Sequence, residues 1–576
     1  MDSPFASKLK TNYCPTVDET VEIKALIAEN QARMEHLESR IADAQQVLNK
    51  LLEERESLDF NLDSHEALLS PIRRMPADVV QEIFKACLPT HRNCVMDASE
   101  APLLLGRICS GWRTLSLATP RLWSSLHIVD PGQQWSEENG SLAINHWHAG
   151  WGGPVEPPMT AVDRPRVSLI ANAIQEWFER SGQCPLSISW HLDCRHRHNS
   201  AAANSRCIVE AVFSRATRWQ HIKFTIGDAV LEDLAQLSVA DVPELKCATL
   251  QQSPEGWGNS GGHFTWDRLR IFLNAKVTAV AVSGLGLVLP QLALPWTQLT
   301  ALSTFPTAGR EIPVSVHSAI TTISRCSQLR SLSLLLASEE STTTEISTSS
   351  INVDLPLLHS LRLSGTVGAS TALLDRISIP KLTELAWTLH PNSANGAGWG
   401  GVEPRPIPAE PLVRFLTTLP LLESLSLTAR QLSSSSIKEV LLNLPTNLQS
   451  LHVSASFNHT PSFDEDCMVF LMTPVNVGVD SSTPLPLLRN FQLDGAPSVS
   501  DATLLRFITS RASTLKRVHV TFGREMQVDI RPDLLPLIGN GLKLFVNYYP
   551  VLIENHSPWA GLPDAPQIST WGLPAM

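Results

Sequence analysis

The sequence predicts an α/β chain in three parts: a long N-terminal helix, a small all-α module, and an array of repeated strand-and-helix units. Three observations carry this. From Ile23 to Leu69 apolar residues recur at alternating steps of four and three, with no Gly or Pro between them, a helical period held over many turns. Pro76 then opens a short segment in which Val79, Ile83 and the pair Val80, Phe84 share one face, as Pro at a helix start allows. Beyond residue 166 a leucine-x-x-apolar-x-apolar pattern returns again and again. A chain of 576 residues is too long for one compact core, so it needs several domains or an elongated array. The expected organisation is a disordered N-terminus at 1–20, a coiled-coil helix at 21–69, the all-α module at 70–127, a linker at 128–165, the repeats at 166–550 and a tail at 551–576.

The first helix carries its apolar residues on a seam of Ile23, Ile27, Asn30, Met34, Leu37, Ile41, Ala44, Leu48, Leu51, Arg55, Leu58, Leu62, His65 and Leu69. A strict 3.5-residue period implies a left-handed coiled coil, and the helix would span ~70 Å at 1.5 Å per residue. Asn30 and Arg55 on the seam would fix register at some expense of stability. Between Asp18 and Leu69 there are 13 acidic and 5 basic residues, a difference of −8 out of the net −11. Ile27, Met34, Leu37, Ile41, Leu48, Leu51, Leu58 and Leu62 are the expected pairing residues, for a homodimer or another coiled-coil protein. The alternative is a single helix folded back on the rest of the chain. A parallel dimer would place the two following modules side by side.

The module after this helix is marked by four ordered blocks: Met75-Pro76-Ala77-Asp78, Ile83-Phe84, Ile108-Cys109-Ser110-Gly111-Trp112-Arg113 and Pro120-Arg121-Leu122-Trp123. Together they resemble an F-box, in which a Leu-Pro-x-Glu start, an Ile-Phe pair, a Val-Cys-x-x-Trp-Arg core and a Pro-x-Leu-Trp end mark a small helical module. The resemblance implies a docking surface for the Skp-type adaptor and cullin of an SCF-type ubiquitin ligase. It assigns Met75, Pro76, Val79, Ile83, Phe84, Leu88, Ile108, Trp112, Leu122 and Trp123 to the module's core and adaptor-facing surface, without separating the two roles. Met75 stands where the family has Leu, a volume-conserving exchange, and residues 89–102 form a longer, more polar loop than a compact F-box needs. The module is expected to be a separable three-helix knob.

Residues 130–159 are rich in Pro and Gly and read as a loop or hinge. Ile170, Ile174, Trp177 and Phe178 then share a helical face, and Leu186-Ser187-Ile188-Ser189-Trp190 alternates as a strand does. The leucine motif begins at Leu245, Leu299, Leu329, Leu358, Leu382, Leu422, Leu448, Leu488 and Leu515, in steps of 54, 30, 29, 24, 40, 26, 40 and 27 residues. The shorter steps fit one strand and one helix per repeat, stacked into a solenoid with a parallel sheet on one side. The body is therefore similar to an irregular leucine-rich-repeat domain of the kind that follows the F-box in many fungal proteins. Low-complexity inserts at 338–350 and 391–411 should project as loops and contribute to the binding face.

Other chemistries are present as spelling only. Gly258-Asn259-Ser260-Gly261-Gly262 matches the nucleophile-elbow pattern, but no apolar strand precedes Ser260, and the elbow needs one. His191, Cys194, His196 and His198 could surround zinc, yet Arg195 and Arg197 interleave and no second ligand pair follows. There is no RING-like ladder, so in ubiquitin transfer the chain would recruit rather than catalyse. A net charge of −11 argues against nucleic acid or an anionic membrane as the main partner. Ten scattered cysteines without a C-x-x-C pair suggest buried thiols in a reducing compartment. The first twenty residues lack an apolar signal core, and residues 277–296 read as strand and loop rather than a membrane span. The expectation is a non-enzymatic substrate receptor, cytoplasmic or nuclear, with no cofactor or metal and an unidentified target protein. The alternative is a coiled-coil and repeat scaffold without a role in degradation.

Overall fold

The computed structural model describes residues 4–129, 163–192, 206–253, 264–285, 287–305, 313–337, 352–389, 408–428, 432–455, 463–473, 475–477, 480–482, 484–495 and 498–548. It divides into two compact units, Met1–Glu82 and Ile83–Met576.

The first unit is dominated by α1, Val17–Leu69, 53 residues long. Thr16 caps it: its hydroxyl accepts the Glu19 amide while the Glu19 carboxylate accepts the Thr16 amide, a capping box that satisfies two otherwise orphaned donors. Lys8 Nζ and Tyr13 Oη also donate to Glu19 at 2.7 and 2.9 Å. The hydrogen bond from Lys8, with those from Thr16 and Tyr13, lowers the Glu19 carboxyl to about 2. The expectation of a disordered segment over 1–20 is thus corrected for the described part, because these contacts tie residues 8–16 to a helix that already begins at Val17. The seam is laid bare. Ile27, Met34, Leu37, Ile41, Leu48, Leu51, Leu58 and Leu62 are 46–61 % exposed. A 3-10 turn at Pro71–Arg74 follows, and then α2, Ala77–Ala86, with Pro76 just ahead of it.

The second unit contains two further short helices, α3 (Leu105–Ile108) and α4 (Ser110–Leu117), a 3-10 turn at Pro120–Trp123, and then an α/β array. Its strands are β1 (Ser125–Val129), β2 (Leu186–His191), β3 (Trp219–Ile226), β4 (Cys247–Gln252), β5 (Ala279–Ser283), β6 (Ala301–Thr304), β7 (Ser331–Leu335), β8 (Val353–Asp354), β9 (Ser360–Gly365), β10 (Ile377–Ser378), β11 (Glu384–Leu389), β12 (Ser424–Thr428), β13 (Ser450–Ser454), β14 (Val475–Val477), β15 (Asp480–Ser482), β16 (Asn490–Asp494), β17 (Arg517–Phe522) and β18 (Lys543–Tyr548). Fourteen of them form one parallel sheet in strict chain order, β1-β2-β3-β4-β5-β6-β7-β9-β11-β12-β13-β16-β17-β18. The pairs β8/β10 and β14/β15 are small separate ribbons.

Strict sequential order is what a solenoid requires, since each repeat can bury its apolar face only against its neighbours. The register makes this visible. One column runs Leu126, Ile188, Ile222, Ala248, Val280, Leu302 and Leu332 across β1 to β7, then Leu361, Leu385, Leu425, Leu451, Phe491 and Val518 to β17, all buried. Helices follow many of the strands on the chain's return path. Ser315, Thr366, Ser433, Asp464 and Ser500 each accept a backbone amide at a helix start, which is why those helices begin where they do. After α5 (Asp163–Arg180), Gly182 takes φ +55°, the left-handed turn that ends a helix and sends the chain into β2.

All nine leucine motifs lie on strands of this sheet. The step of 54 hides β5, where Val277 stands in the leucine position two residues ahead of the strand Ala279–Ser283. The array also begins earlier than residue 166. Its first strand, β1, crosses the boundary drawn at 127 and pairs with β2 along five residues. The inserts at 338–350 and most of 391–411, Ser260 with its glycines, Cys194, His196 and His198, and the tail at 551–576 lie outside the described residues.

Candidate protein-docking surfaces

The four blocks sort into interior and surface. In the first unit Met75 is half-buried while Pro76 and Val79 are exposed. In the second, Phe84 is fully buried and its ring meets Trp112 edge-on at 4.9 Å, an arrangement favoured by the ring quadrupoles. Ile83, Leu88 and Trp112 are half-buried; Leu122 and Trp123 are buried outright. Ile108 is 55 % exposed. Leu104 and Leu117, which the sequence reading left out, are 40 and 43 % exposed. The short helix α3 turns Leu105 inward, and its neighbours Leu104 and Ile108, one turn apart, face outward. Cys109 starts α4, its sulfur accepting the Trp112 amide at 3.4 Å, and Arg113 Nε donates to the Gly106 carbonyl at 2.8 Å.

Trp123 does not belong to a separable knob. Its indole N–H donates to the Ser116 carbonyl at 2.9 Å, its ring meets Trp177 of α5 at 4.9 Å, and the Arg180 guanidinium lies 4.8 Å over it. The loop at 89–102, longer than the resemblance requires, also has a place. The His127 amide donates to the Cys94 carbonyl at 2.7 Å, Ser125 Oγ accepts the Cys94 amide at 3.1 Å, and Asn93 hydrogen-bonds Ser187 and Ser189. The loop thereby covers the first strands, an edge that would otherwise present unpaired polar groups.

The second surface is the polar face of the sheet. Its central row passes through small neutral residues, Thr249, Ala281, Ser303 and Ser333, and then changes character at Arg362. From there it continues through Ala386, Ser426, His452, Gln492, His519 and Phe545. Burial lowers the Arg362 guanidinium below its ordinary value, with Glu384 opposing. At the far end Arg517, Lys543 and the 51 % exposed ring of Phe545 gather around His519, whose own ring meets Phe545 at 5.9 Å. Cations beside an exposed aromatic ring are the composition of a protein-binding hot spot.

His452 is the fixed point of this end. Its Nε2 lies 2.8 Å from Asp494 Oδ2 and its Nδ1 2.8 Å from Ser426 Oγ, so with Asp494 ionised the proton sits on Nε2 and the Ser426 hydroxyl donates to Nδ1. Burial pushes the Asp494 carboxyl up, but the hydrogen bonds from His452 and Gln492 bring it below its ordinary value. Ser, His and Asp in line have the spelling of a hydrolase triad. The amides flanking Ser426 are held in ladders with β11 and β13, however, and an oxyanion needs donors free to face it. The line can orient a recognition surface. Sequence reading passed over it because its residues are the intervening x positions of the repeats; aligning the motifs that begin at Leu422, Leu448 and Leu488 places Ser426, His452 and Gln492 at one offset.

Among the described residues no group of His, Cys, Asp and Glu could hold a metal ion, and no helix is long and apolar enough to cross a membrane. Cys94, Cys326 and Cys467 are buried, but Cys14, Cys87 and Cys109 are exposed, so the expectation of buried thiols holds for only part of the set.

No family model matches the chain, and no curated protein matches it. Among solved structures it is similar to the TLR13–ssRNA13 complex at 14 % identity and TM-score 0.27, where 53 % of this chain covers 39 % of the other, well under two thirds of its length. It is also similar to the yeast Rad7 and Elc1 complex, at 13 % identity, TM-score 0.29 and coverage of 67 and 88 %. A third match is a Bacteroides fragilis protein, at 12 % identity, TM-score 0.27 and coverage of 62 and 88 %.

Proposed function

We propose that this chain is the substrate-recognition subunit of an SCF-type cullin-RING ubiquitin ligase, catalysing nothing itself. The F-box-like segment docks a Skp-type adaptor and through it the cullin, and the polar face of the repeat sheet holds a target protein in the cytoplasm or nucleus. The observation that carries this reading is the division within the four ordered blocks. Phe84, Leu122 and Trp123 supply the interior, while Ile108, with Leu104 and Leu117 nearby in sequence, remains exposed where a core residue would be covered. The gain in ubiquitin transfer would come from proximity.

The test is capture of adaptor and cullin by the full-length protein. Ile108→Asp puts a charge on an exposed position that the fold does not depend on, and is expected to weaken capture at least tenfold, since a buried unpaired charge is strongly unfavourable at an interface. Arg362→Met should leave capture intact and reduce ubiquitination of the target. Undiminished capture by Ile108→Asp, or none by the wild type, would refute the reading. The exposed seam of α1 supports a second one, a scaffold that assembles through its helix and repeats without any ligase.

A further inference from the structure

We infer that α1 pairs with α1 of a second copy of this chain, and that the two helices run antiparallel. The exposed seam needs a cover, and the charges beside it say which. With helices antiparallel, Ile23 packs on Leu62, Ile27 on Leu58, Met34 on Leu51, Leu37 on Leu48 and Ile41 on Ala44 of the second copy. In that register the polar seam residues Asn30 and Arg55 fall opposite each other, and every other layer between Ile23 and Leu62 is apolar on both sides. Residues flanking a seam meet those flanking the partner's. Arg33 then lies beside Glu54 and Lys24 beside Asp59 of the other copy; the remaining flanking pairs, Leu26 with Asn61, Arg40 with Val47, Gln31 with Leu52 and Glu38 with Gln45, bring no like charges together.

A parallel pair is worse by the same reckoning. It sets Arg55 against Arg55 inside the seam and Glu54 beside Asp59 on both flanks, with Arg33 beside Glu38 and Glu19 beside Lys24 to offset them. The single helix shows Arg55 Nε 3.8 Å from Asp59, a contact that does not spare two guanidinium groups from meeting in a parallel seam. The antiparallel arrangement has a geometric consequence. At 1.5 Å per residue, the two Leu69 ends lie roughly 80 Å apart, so the two chains leave the rod at opposite ends rather than side by side.

Sedimentation equilibrium of the full-length protein tests this, without adaptor present, so its outcome is independent of the ligase reading. Glu54→Arg has opposite signs in the two orientations. In the antiparallel pair it turns both Arg33–Glu54 attractions into repulsions and should weaken the dimer about tenfold; adding Arg33→Glu should restore it. In a parallel pair it would relieve the Glu54–Asp59 repulsion and tighten the dimer. A second readout uses oxidation in a background of Cys14→Ser, Cys87→Ser and Cys109→Ser: Ile27→Cys and Leu58→Cys should cross-link when mixed and neither should cross-link alone. Tightening by Glu54→Arg, self-linking of Ile27→Cys, or a wild type still monomeric at about 50 µM would overturn the inference.

Discussion

Replacing Asp501 should loosen the C-terminal end of the repeat array and with it the cationic end of the polar face. The Asp501 carboxylate is fully buried at the start of the helix Asp501–Ser510. It accepts Arg524 Nη2 at 2.8 Å, the Gln527 and Val528 amides at 2.8 Å each, and Tyr548 Oη at 3.2 Å. Asp501→Ala therefore removes an acceptor from four donors at once, among them a guanidinium that is only 13 % exposed and retains the Val499 and Glu525 carbonyls. Breaking one partner out of a buried ion pair is unfavourable by about 3–5 kcal/mol, and orphaned amides act in the same direction. Because a repeat array is stabilised by nearest neighbours, the loss should appear first in β17 and β18. Hydrogen exchange under native conditions reads this directly, as a fall of that size in the opening free energy of Val518 to Val520 with little change at Leu302. Ser500→Ala, which removes only a helix cap, should lower it by about 1 kcal/mol. If Asp501→Ala moves the exchange of β17 and β18 by no more than the cap variant does, the carboxylate is not the clamp described.

Burial pushes the His519 imidazole below the usual histidine range, with Asp494 opposing. A lowered folded pKa means the unfolded chain takes the proton first, so this contribution is present above about pH 6.5 and is lost as pH falls through the folded value. The drop in urea midpoint between pH 7.5 and 5.5 should shrink in His519→Gln, and an unchanged drop would contradict it; the share from Asp494, also lowered, is lost only below about pH 4. The indole of Trp387 is buried without a hydrogen-bond partner among the described residues, whereas that of Trp123 has Ser116. Trp123→Phe should therefore lower stability by about 1–3 kcal/mol more than Trp387→Phe, measured by denaturant unfolding. Burial pushes the thiols of Cys326 and Cys467 up to about 12 and about 11. Iodoacetamide on the native protein at pH 8 should label Cys14, Cys87 and Cys109 and spare these two, as mass spectrometry of the peptides would show.

The repeat array was legible wherever leucine filled its first position, because a Leu followed three and five residues later by apolar side chains marks both the strand and its inward face. It was illegible where another residue did that work. In β3 the residues are Trp219, Ile222 and Phe224, and around β1 they are Trp123 of the preceding 3-10 turn with Leu126 and Ile128; each set is buried as the leucines are, yet it breaks the spelling. The polar face could not be read from one strand, where Ser426 or His452 is an ordinary solvent-side residue of an alternating pattern. Only the register between strands brings Ser426, His452 and Asp494 into one line. The apolar seam of α1, proposed above as a pairing surface, can be read from the sequence alone, since a seam of one helix needs no tertiary information. Its orientation required weighing the residues beside the seam as well as those on it.

Trp123 has two parts to play, and this changes what the F-box-like segment can be. As the last residue of the fourth block it buries its ring in the helical module; lying two residues ahead of β1, it also wedges against Trp177 and opens the apolar core of the array. Asn93 and Cys94, reaching from the loop before α3 to Ser187, Ser189 and His127, make the same connection from the other side. Residues 83–129 are thus joined to the repeats by a shared core and by hydrogen bonds, where a linker at 128–165 had been expected to set them free. A flexible linker would let a bound target sample many distances from whatever partner Ile108 engages, at an entropic disadvantage for transfer. A shared core fixes that distance through the packing of Trp123. On the function proposed above, a substitution there should therefore alter the geometry of target presentation while leaving adaptor capture, assigned to exposed side chains, unchanged.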